Sequence, residues 1–337
     1  MNFRDVKPAF DKDNIAIAFA VDQNYVPYLK YAIKSIVANL KHGNLDVLVL
    51  HGGNLDGEVL VAHFKNCRNL SIRFVDASEY FNAVLAPYFV QRDYFTVASA
   101  YRIMIPELLP AYDKMLWLDT DTLATGDIGE LYGEDLAGSW LGAVKDAVLG
   151  DEPPVRDCGA VSRKAAFAWA KKYGFKPWQG YFNSGVMLMN LTALRGAGIA
   201  KRLIDVVLDP LSQWPDQDAM NAVCRGHVKY LDERWNFQVS VEPLRELQGP
   251  GIVHFTSAIK PWHSPDRQHA ELWWRYLVYD CADLEVIKRI LKTISDIYEQ
   301  RLKERDDNRW KLKHSISYKL GRALTKPIRA ITGNKDL

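Results

Sequence analysis

The feature that most constrains the fold is the alternation of short apolar runs with amphipathic stretches through the first two thirds of the chain. Four apolar runs, 15–21, 45–50, 71–75 and 114–118, have the length of buried strands. The stretch 26–40 places apolar residues at helical spacing after the first of them. Strands that alternate with helices predict an α/β fold with a mainly parallel sheet and helices on both faces.

Length and composition fit a folded chain of one large domain or two ordinary ones. The chain has 337 residues, of which 48% are hydrophobic, enough for a sizeable packed core. No apolar run approaches the ~18 residues of a membrane span. Residues 1–14 carry acids and lack an apolar core, so we expect no secretory signal. The four cysteines form no CxxC pair, which favours a reduced, cytosolic setting.

Two aspartates directly follow the strand predicted over 114–118. In an open α/β sheet, ligands bind at the carboxyl ends of the strands, so the residues after each strand are candidates for a site. Asp119 and Asp121 can both approach one divalent cation, and oxygen ligands favour Mg²⁺ or Mn²⁺. Most acids at this spacing are solvated turn residues. The position after a buried strand is what favours a metal site here.

His254 ends a later apolar run that begins at residue 251. A histidine there is either a core residue with satisfied hydrogen bonds or the third ligand of a metal site with the two aspartates. Lys260, six residues on, is either a surface lysine or a point charge for a phosphate-bearing ligand beside that metal.

Asp22, Asn24 and Tyr25 follow the first predicted strand, where such a sheet would hold a nucleotide. The two polar side chains could bond a base or ribose and Tyr25 could stack. The alternative is a helix N-cap, with Asp22 or Asn24 satisfying free backbone amides, and both roles could hold at once. No GxGxxG or GxxxxGK[ST] motif is present, which disfavours dinucleotide and P-loop binding.

Two further segments carry polar residues in suggestive positions. Residues 214–220 indicate a helix start, with Pro215 and Asp216 suited to the first turn. Capping accounts for an acid there but not for Gln217 between two acids, so a structural and a functional role both stay open. Residues 183–185, Asn-Ser-Gly, indicate a turn before the next apolar run.

Taken together, these segments resemble glycosyltransferase family 8, the retaining enzymes that include bacterial lipopolysaccharide galactosyl- and glucosyltransferases and glycogenin. The resemblance covers about residues 15–265, and it is strongest to the bacterial lipooligosaccharide α-galactosyltransferase branch. Seven segments match in the family's order: 19–25, 101–102, 116–121, 181–186, 216–218, 235–237 and 254–263.

The resemblance implies a GT-A, Rossmann-like fold and a UDP-sugar donor whose diphosphate is bridged by Mn²⁺ or Mg²⁺. The implied metal ligands are Asp119, Asp121 and His254. The implied donor contacts are Asp22, Asn24 and Tyr25 to uridine, Arg102, Asp146 and Asn183 to the sugar, and Lys260 to the diphosphate. Asp216 and Gln217 match positions beside the anomeric carbon, and with Asp146 they are the expected catalytic residues. Ser257 stands where the family usually has glycine, and either weakens donor binding or adds a hydroxyl contact.

The implied reaction moves a hexose, galactose or glucose, to a lipid-linked glycan in lipopolysaccharide or surface polysaccharide biosynthesis. Double displacement and same-face substitution both stay open. The poor nucleophilicity of Gln217 favours same-face substitution, with the leaving phosphate accepting the acceptor's proton. One alternative is a sugar nucleotidyltransferase, which the absence of a Gly-rich loop after the first strand disfavours. A second is a non-catalytic glycan-binding protein on membranes, which a complete metal triad disfavours.

The net charge of +2 conceals an uneven distribution. Residues 309–337 hold eight basic residues and one acid, a net charge of +7, and the rest of the chain carries −5. Apolar residues recur there every fourth position, at Leu312, Ile316, Leu320 and Leu324. This pattern predicts a basic amphipathic helix on an anionic membrane surface. Packing against the acidic body or a disordered tail are the alternatives, and nucleic-acid binding is not expected.

The expected organisation therefore has four parts: an N-terminal extension at 1–14, a catalytic domain at 15–280, a charged helical segment at 281–308 and the basic tail at 309–337. We expect a cytoplasmic protein that lies peripherally on the inner face of the plasma membrane.

Overall fold

The chain forms two compact units, one from Met1–Pro261 with Pro265–Tyr279 and one from Trp262–Ser264 with Asp280–Leu337. The computed structural model describes residues 3–53, 55–84, 86, 97–147, 163–174, 180–212, 214–239, 249–256, 260–264, 268–278, 290, 292–293, 296, 300–301 and 303–305. The described residues from 290 to 305 are helical. The basic tail at 309–337 lies outside the described residues, so the four-part organisation stays a prediction.

Ten strands are described in the first unit. They are β1 (Asn14–Ala20), β2 (Asn44–His51), β3 (Leu70–Asp76), β4 (Lys114–Leu118), β5 (Thr122–Ala124), β6 (Leu141–Lys145), β7 (Phe182–Asn190), β8 (Val228–Tyr230), β9 (Phe237–Gln238) and β10 (Ile252–His254). Seven of them form the central sheet in the order β3-β2-β1-β4-β7-β6-β8. Within this sheet only β7 runs antiparallel to its neighbours, β4 and β6. The amino end of β7 therefore lies at the edge where the other strands end.

Ten helices are described in the same unit. They are α1 (Val26–Asn39), α2 (Glu58–His63), α3 (Ser78–Val84), α4 (Val97–Leu108), α5 (Ile128–Tyr132), α6 (Arg163–Lys172), α7 (Leu191–Gly196), α8 (Ala200–Val207), α9 (Pro215–Cys224) and α10 (Ala270–Val278). Their starts follow ordinary helix chemistry. Asp127 and Asn190 cap α5 and α7 through their side chains, and a proline occupies the first turn of α1 and of α9. None of the described helices combines the length and apolarity needed to cross a bilayer.

Hydrophobic cores lie on both faces of the central sheet, because side chains alternate along each strand. In β1, Ala16 and Ala18 join the core that includes α4, α7, α8 and α9. Ile17 and Phe19, on the opposite face, join the core that includes α1, α2 and α5. The predicted α/β fold with a mainly parallel sheet and helices on both faces is therefore confirmed.

A second sheet has three strands in the order β5-β10-β9. Its first strand in the chain, β5, comes directly after β4. β10 pairs antiparallel with β5, and the register sets His254 opposite Thr122. β10 is parallel to β9, which continues from a 3₁₀ turn at Glu233–Asn236. This sheet holds His254 next to the residues that leave β4.

The turn predicted at residues 183–185 is wrong. Asn183, Ser184 and Gly185 lie inside β7, and all three are buried. Asn, Ser and Gly are common in turns, but each of these three residues also makes contacts in the site described below.

Candidate active site at the carboxyl edge of the sheet

Polar side chains meet at the edge where β1, β4 and β6 end and β7 begins. Asp119 and Asp121 follow β4, and Asp146 follows β6. Asn183 is the second residue of the antiparallel strand β7. The antiparallel direction of β7 thus adds a strand beginning to an edge otherwise made of strand ends.

Asp119, Asp121 and His254 form a cluster able to hold a metal ion. His254 Nε2 lies 3.3 Å from Asp121 Oδ1 and 3.9 Å from Asp119 Oδ2. Candidate ligand atoms of the three residues all lie within 4.8 Å of one another. His254 is buried and the two carboxylates are half-buried. Two carboxylates and one imidazole suit a divalent cation of the Mg²⁺ or Mn²⁺ kind, so these residues fit the metal that the sequence predicts.

The position of the His254 ring depends on Gly185. A Cβ at Gly185 would lie 2.2 Å from His254 Cε1 and 2.9 Å from both ring nitrogens. The backbone of Gly185 also supports the site, since its carbonyl accepts a 2.8 Å hydrogen bond from Asp119 N. A residue with a side chain would fill the space that the imidazole occupies.

Lys260 lies against Asp121. Its Nζ donates hydrogen bonds to Asp121 Oδ2 and, at 3.0 Å, to the carbonyl of Phe255. Burial by itself would raise the pKa of the Asp121 carboxyl. The charge of Lys260, the largest opposing effect, holds that pKa far below its usual value. Asp121 is therefore an anion in the folded protein, as a metal ligand must be.

Arg102, from α4, connects the metal cluster to α9. Its NH2 donates to Asp119 Oδ1 at 2.9 Å, and its Nε lies 2.9 Å from Asp216 Oδ2. Its NH1 donates to the Ser184 carbonyl at 3.0 Å and to Ser184 Oγ at 2.7 Å. Burial would lower the pKa of Arg102, but Asp119 and Asp216 raise it. Burial also raises the pKa of Asp216 although Arg102 opposes this. One buried guanidinium thus fixes two acids from different parts of the fold, Asp119 after β4 and Asp216 in the first turn of α9.

Trp117 gives a second support to Asp119. Its Nε1 donates a 2.9 Å hydrogen bond to Asp119 Oδ1. Its ring also lies against the guanidinium of Arg102, with 5.0 Å between Cζ and the ring centroid. The apolar strand residue therefore helps to orient the first carboxylate after the strand.

A cluster of amides surrounds Asp146. Asp146 Oδ2 accepts from Gln217 Nε2 at 3.2 Å and from Asn183 Nδ2 at 3.3 Å. Gln217 Oε1 accepts from Asn183 Nδ2 at 3.1 Å and from Ser184 N at 3.0 Å. This cluster brings three predicted donor-sugar or catalytic residues, Asp146, Asn183 and Gln217, into mutual contact.

The second acid of the 216–218 segment has a different task. Asp218 accepts from Tyr181 Oη at 2.6 Å, from Ser212 Oγ at 2.7 Å and from Trp214 N at 3.1 Å. It is 4% exposed. Asp218 therefore anchors the start of α9 and leaves Asp216 and Gln217 facing the site.

The predicted uridine contacts lie at the end of β1. Asp22 Oδ1 accepts from Asn24 N at 2.8 Å and from Tyr25 N at 3.1 Å, so this side chain shapes the turn before α1. Burial, followed by the negative charges of Asp121 and Asp22, raises the pKa of Tyr25 to about 12. Asn24 is exposed. Ser257 lies outside the described residues.

Three residues of the site have no role in the sequence-based prediction: Trp117, Ser184 and Asn236. Asn236 is 1% exposed and bonds both Asn183 and His254. In the sequence, Trp117 looks like any apolar residue of a strand, and Ser184 looks like any serine of a turn. The available signal for each was its place in a segment that resembles family 8.

Comparison with known proteins agrees with this geometry. Residues 16–266 match the model of the family described as Glycosyl transferase family 8. The lipopolysaccharide 1,2-glucosyltransferase of Escherichia coli (strain K12) is 25% identical over 263 residues, which are 73% of this chain and 72% of that protein.

Solved structures show the same fold. The galactosyltransferase LgtC, in complex with donor and acceptor sugar analogs, is 27% identical with a TM-score of 0.62, and the match covers 78% of this chain and 95% of that one. The bifunctional glycosyltransferase WbbM is 23% identical with a TM-score of 0.69, covering 84% of this chain. This chain spans about half of WbbM, 53% of its length. The GT-A fold is confirmed by these likenesses.

Proposed function

The chain belongs to glycosyltransferase family 8, and from this premise we propose that it is a divalent-metal-dependent retaining transferase that moves a hexose from a UDP-sugar to a lipid-linked glycan. The observation that carries the proposal is the Asp119–Asp121–His254 cluster at the carboxyl edge of the sheet, joined through Arg102 to Asp216. Membership of a glycosyltransferase family also disfavours the two alternatives, a sugar nucleotidyltransferase and a non-catalytic glycan-binding protein.

Donor binding and leaving-group departure are assigned to the metal side of the site. Asp119, Asp121 and His254 would hold the metal, and a bound Mn²⁺ or Mg²⁺ would offset the negative charge that grows on the departing diphosphate. Lys260 already lies at Asp121 and would supply a positive charge to the same phosphates. We assign the uridine to Asp22, Asn24 and Tyr25 at the end of β1.

Sugar binding and the chemical step are assigned to the amide side. Asp146 and Asn183 would hold the hexose, and Asp216 and Gln217 would lie beside its anomeric carbon. Gln217 Oε1 already accepts two hydrogen bonds, one for each lone pair. An attack by this oxygen on the sugar would have to give up at least one of them.

This occupancy of Gln217 supports same-face substitution over a covalent intermediate. In that reaction the bond between the anomeric carbon and the diphosphate oxygen breaks while the acceptor oxygen bonds to the same carbon on the same face. The acceptor's proton passes to the leaving phosphate oxygen. The oxocarbenium-like sugar is stabilised by the carboxylate and amide oxygens beside it.

The acceptor is proposed from the relatives and from the tail. The E. coli relative is a lipopolysaccharide glucosyltransferase, and LgtC was solved with an acceptor sugar analog. The basic, amphipathic pattern of 309–337 suits the surface of an anionic membrane, where a lipid-linked glycan would be found. We therefore place the protein peripherally on the inner face of the plasma membrane.

The test measures UDP release and acceptor glycosylation with a panel of UDP-sugars in the presence of Mn²⁺. Asp119→Asn/Asp121→Asn should lower UDP release by at least about 100-fold, because it removes both anionic ligands. Asp113→Asn is the matched control: it lies just before β4, at the opposite end from Asp119, and its side chain is 91% exposed. It should behave as the unmodified protein does. Turnover that survives the double substitution, or no turnover with any UDP-sugar, would refute the proposal.

A further inference from the structure

Asn236 links the two halves of the site. It is the last residue of the 3₁₀ turn at Glu233–Asn236, and 1% of its surface is exposed. Its Nδ2 donates to Asn183 Oδ1 at 2.9 Å. Its Oδ1 lies 2.9 Å from His254 Nδ1. One buried side chain thus contacts both the donor-sugar cluster and a metal-cluster residue.

The directions of these hydrogen bonds follow from groups whose chemistry allows one choice. The backbone N–H of Gly185 can only donate, and it donates to Asn183 Oδ1 at 3.0 Å. Asn183 Nδ2 points instead towards the Asp146 carboxylate, which in its charged form can only accept. The amide of Asn183 is therefore oriented with its oxygen towards Asn236.

The same logic carries on to the imidazole. Because Asn183 presents an oxygen, Asn236 must present its NH₂ group to it, and its own Oδ1 then faces His254. An oxygen acceptor at 2.9 Å requires a hydrogen on His254 Nδ1. The lone pair of the ring is then on Nε2, the nitrogen 3.3 Å from Asp121 Oδ1.

We propose that Asn236 is a positioning residue, which holds His254 as the Nδ1–H tautomer with Nε2 free to bind metal and ties the imidazole, through Nδ1, to the sugar-side amides. The inference rests on the metal site of the proposed function. Partners of this kind, behind the histidine, typically change metal affinity by about 10- to 100-fold when they are removed.

The first measurement uses metal-free protein and does not depend on activity. In ¹⁵N-histidine spectra, the His254 signals are assigned by their loss in His254→Gln. The unmodified protein should show His254 with its hydrogen on Nδ1. Asn236→Asp keeps an oxygen acceptor for the ring, loses the donor to Asn183 and adds a negative charge that favours a hydrogen on Nδ1, so it should keep this tautomer. Asn236→Leu removes both contacts and should populate the Nε2–H form.

The second measurement is the Mn²⁺ dissociation constant by isothermal titration. Asn236→Leu should bind Mn²⁺ about 10- to 100-fold more weakly, and Asn236→Asp at least as tightly as the unmodified protein, since carboxylate–histidine pairs commonly support metals. Asn14→Leu is the control for loss of a partly buried amide. Asn14 begins β1, at the opposite end of the strand from the site; its Oδ1 accepts from Phe10 N and its Nδ2 donates to Asp46 Oδ2, and its loss should leave Mn²⁺ affinity unchanged.

Three results would overturn the inference. The first is a neutral His254 ring with its hydrogen on Nε2 in the unmodified protein, a result that does not depend on the folding of any Asn236 variant. The second is an Asn236→Leu protein with unchanged tautomer and affinity. The third is an equal loss of affinity in Asn236→Asp and Asn236→Leu, which would make Asn236 a structural residue only. If the unmodified protein bound no Mn²⁺, the proposed function would fail, while the tautomer of His254 would still decide the role of Asn236.

Discussion

Gly185→Ala is the substitution that most directly tests how the metal cluster is packed. Gly185 lies in the buried strand β7, and the added Cβ would come within 2.2 Å of His254 Cε1. Carbon atoms in contact lie about 3.5–4.0 Å apart, so the ring and the strand must separate by about 1.3 Å or more. A metal site tolerates errors of about 0.2 Å in its ligand distances. We therefore expect His254 to leave the ligand set.

The magnitudes follow from the two consequences of that clash. Adding a methyl group to a filled core costs about 1–3 kcal/mol of unfolding free energy. Losing one of three protein ligands should weaken Mn²⁺ binding by at least about 10-fold, the lower end of what even supporting residues cause. Urea unfolding measures the first quantity and isothermal titration with Mn²⁺ the second.

Gly196→Ala is the matched control. Gly196 is the last residue of α7, and nothing lies within 4 Å of the Cβ that alanine would add. Its unfolding free energy should stay the same or rise by up to about 1 kcal/mol, because alanine restricts the unfolded chain. Mn²⁺ affinity should not change. If Gly185→Ala kept both the stability and the affinity of the unmodified protein, the packing of His254 against β7 would not be as described.

Further substitutions test the neighbouring contacts. Arg102→Lys keeps the charge but cannot reach Asp119 and Asp216 together, so unfolding free energy should fall by about 1.5–3 kcal/mol; an unchanged urea midpoint would contradict this. Trp117→Phe removes the indole donor to Asp119 and should weaken Mn²⁺ binding about 10-fold in titration calorimetry, whereas equal affinity would show that the bond is dispensable. Deleting 309–337 should leave UDP release intact and weaken binding to anionic liposomes. The lost binding free energy should be ~1 kcal/mol for each basic residue that lies near the membrane surface. Equal liposome binding would refute a membrane role for the tail.

Local patterns predicted the strand ends and therefore the acids that follow them. The apolar run before Asp119 is both the signal of a buried strand and the reason that Asp119 and Asp121 emerge at the edge of the sheet. The same holds for Asp22 after β1. These predictions succeed because burial of a strand and the position of the next residue are properties of one short segment.

The interior of β7 could not be predicted in this way. Asn183 and Gly185 have the composition of a turn, yet both are buried in a strand. Asn183 satisfies its polar groups with Asp146, Gln217 and Asn236, and Gly185 leaves room for an imidazole. The residues that make these contacts are far from Asn183 and Gly185 along the chain, so a local pattern does not reveal them.

Asn236 shows the same limit. Its two partners in the site are 53 and 18 positions away along the chain, and neither distance leaves a periodic trace in the sequence. A resemblance to family 8 marks the segment around it, but only the fold shows which atoms of Asn183 and His254 it meets.

The pairing of β10 with β5 makes the metal cluster depend on the face of β10 to which the His254 side chain points. His254 stands opposite Thr122, directly after Asp121, and successive residues of a strand point to opposite faces. A shift of the ladder by one position would turn Val253 or Phe255 towards the carboxylates and turn the imidazole away from them. A shift by two would restore the face but carry the ring about 6–7 Å along the strand. Of the pairings that this short ladder permits, a single one therefore joins all three ligands, so the ladder must form in register before the chain can hold a metal.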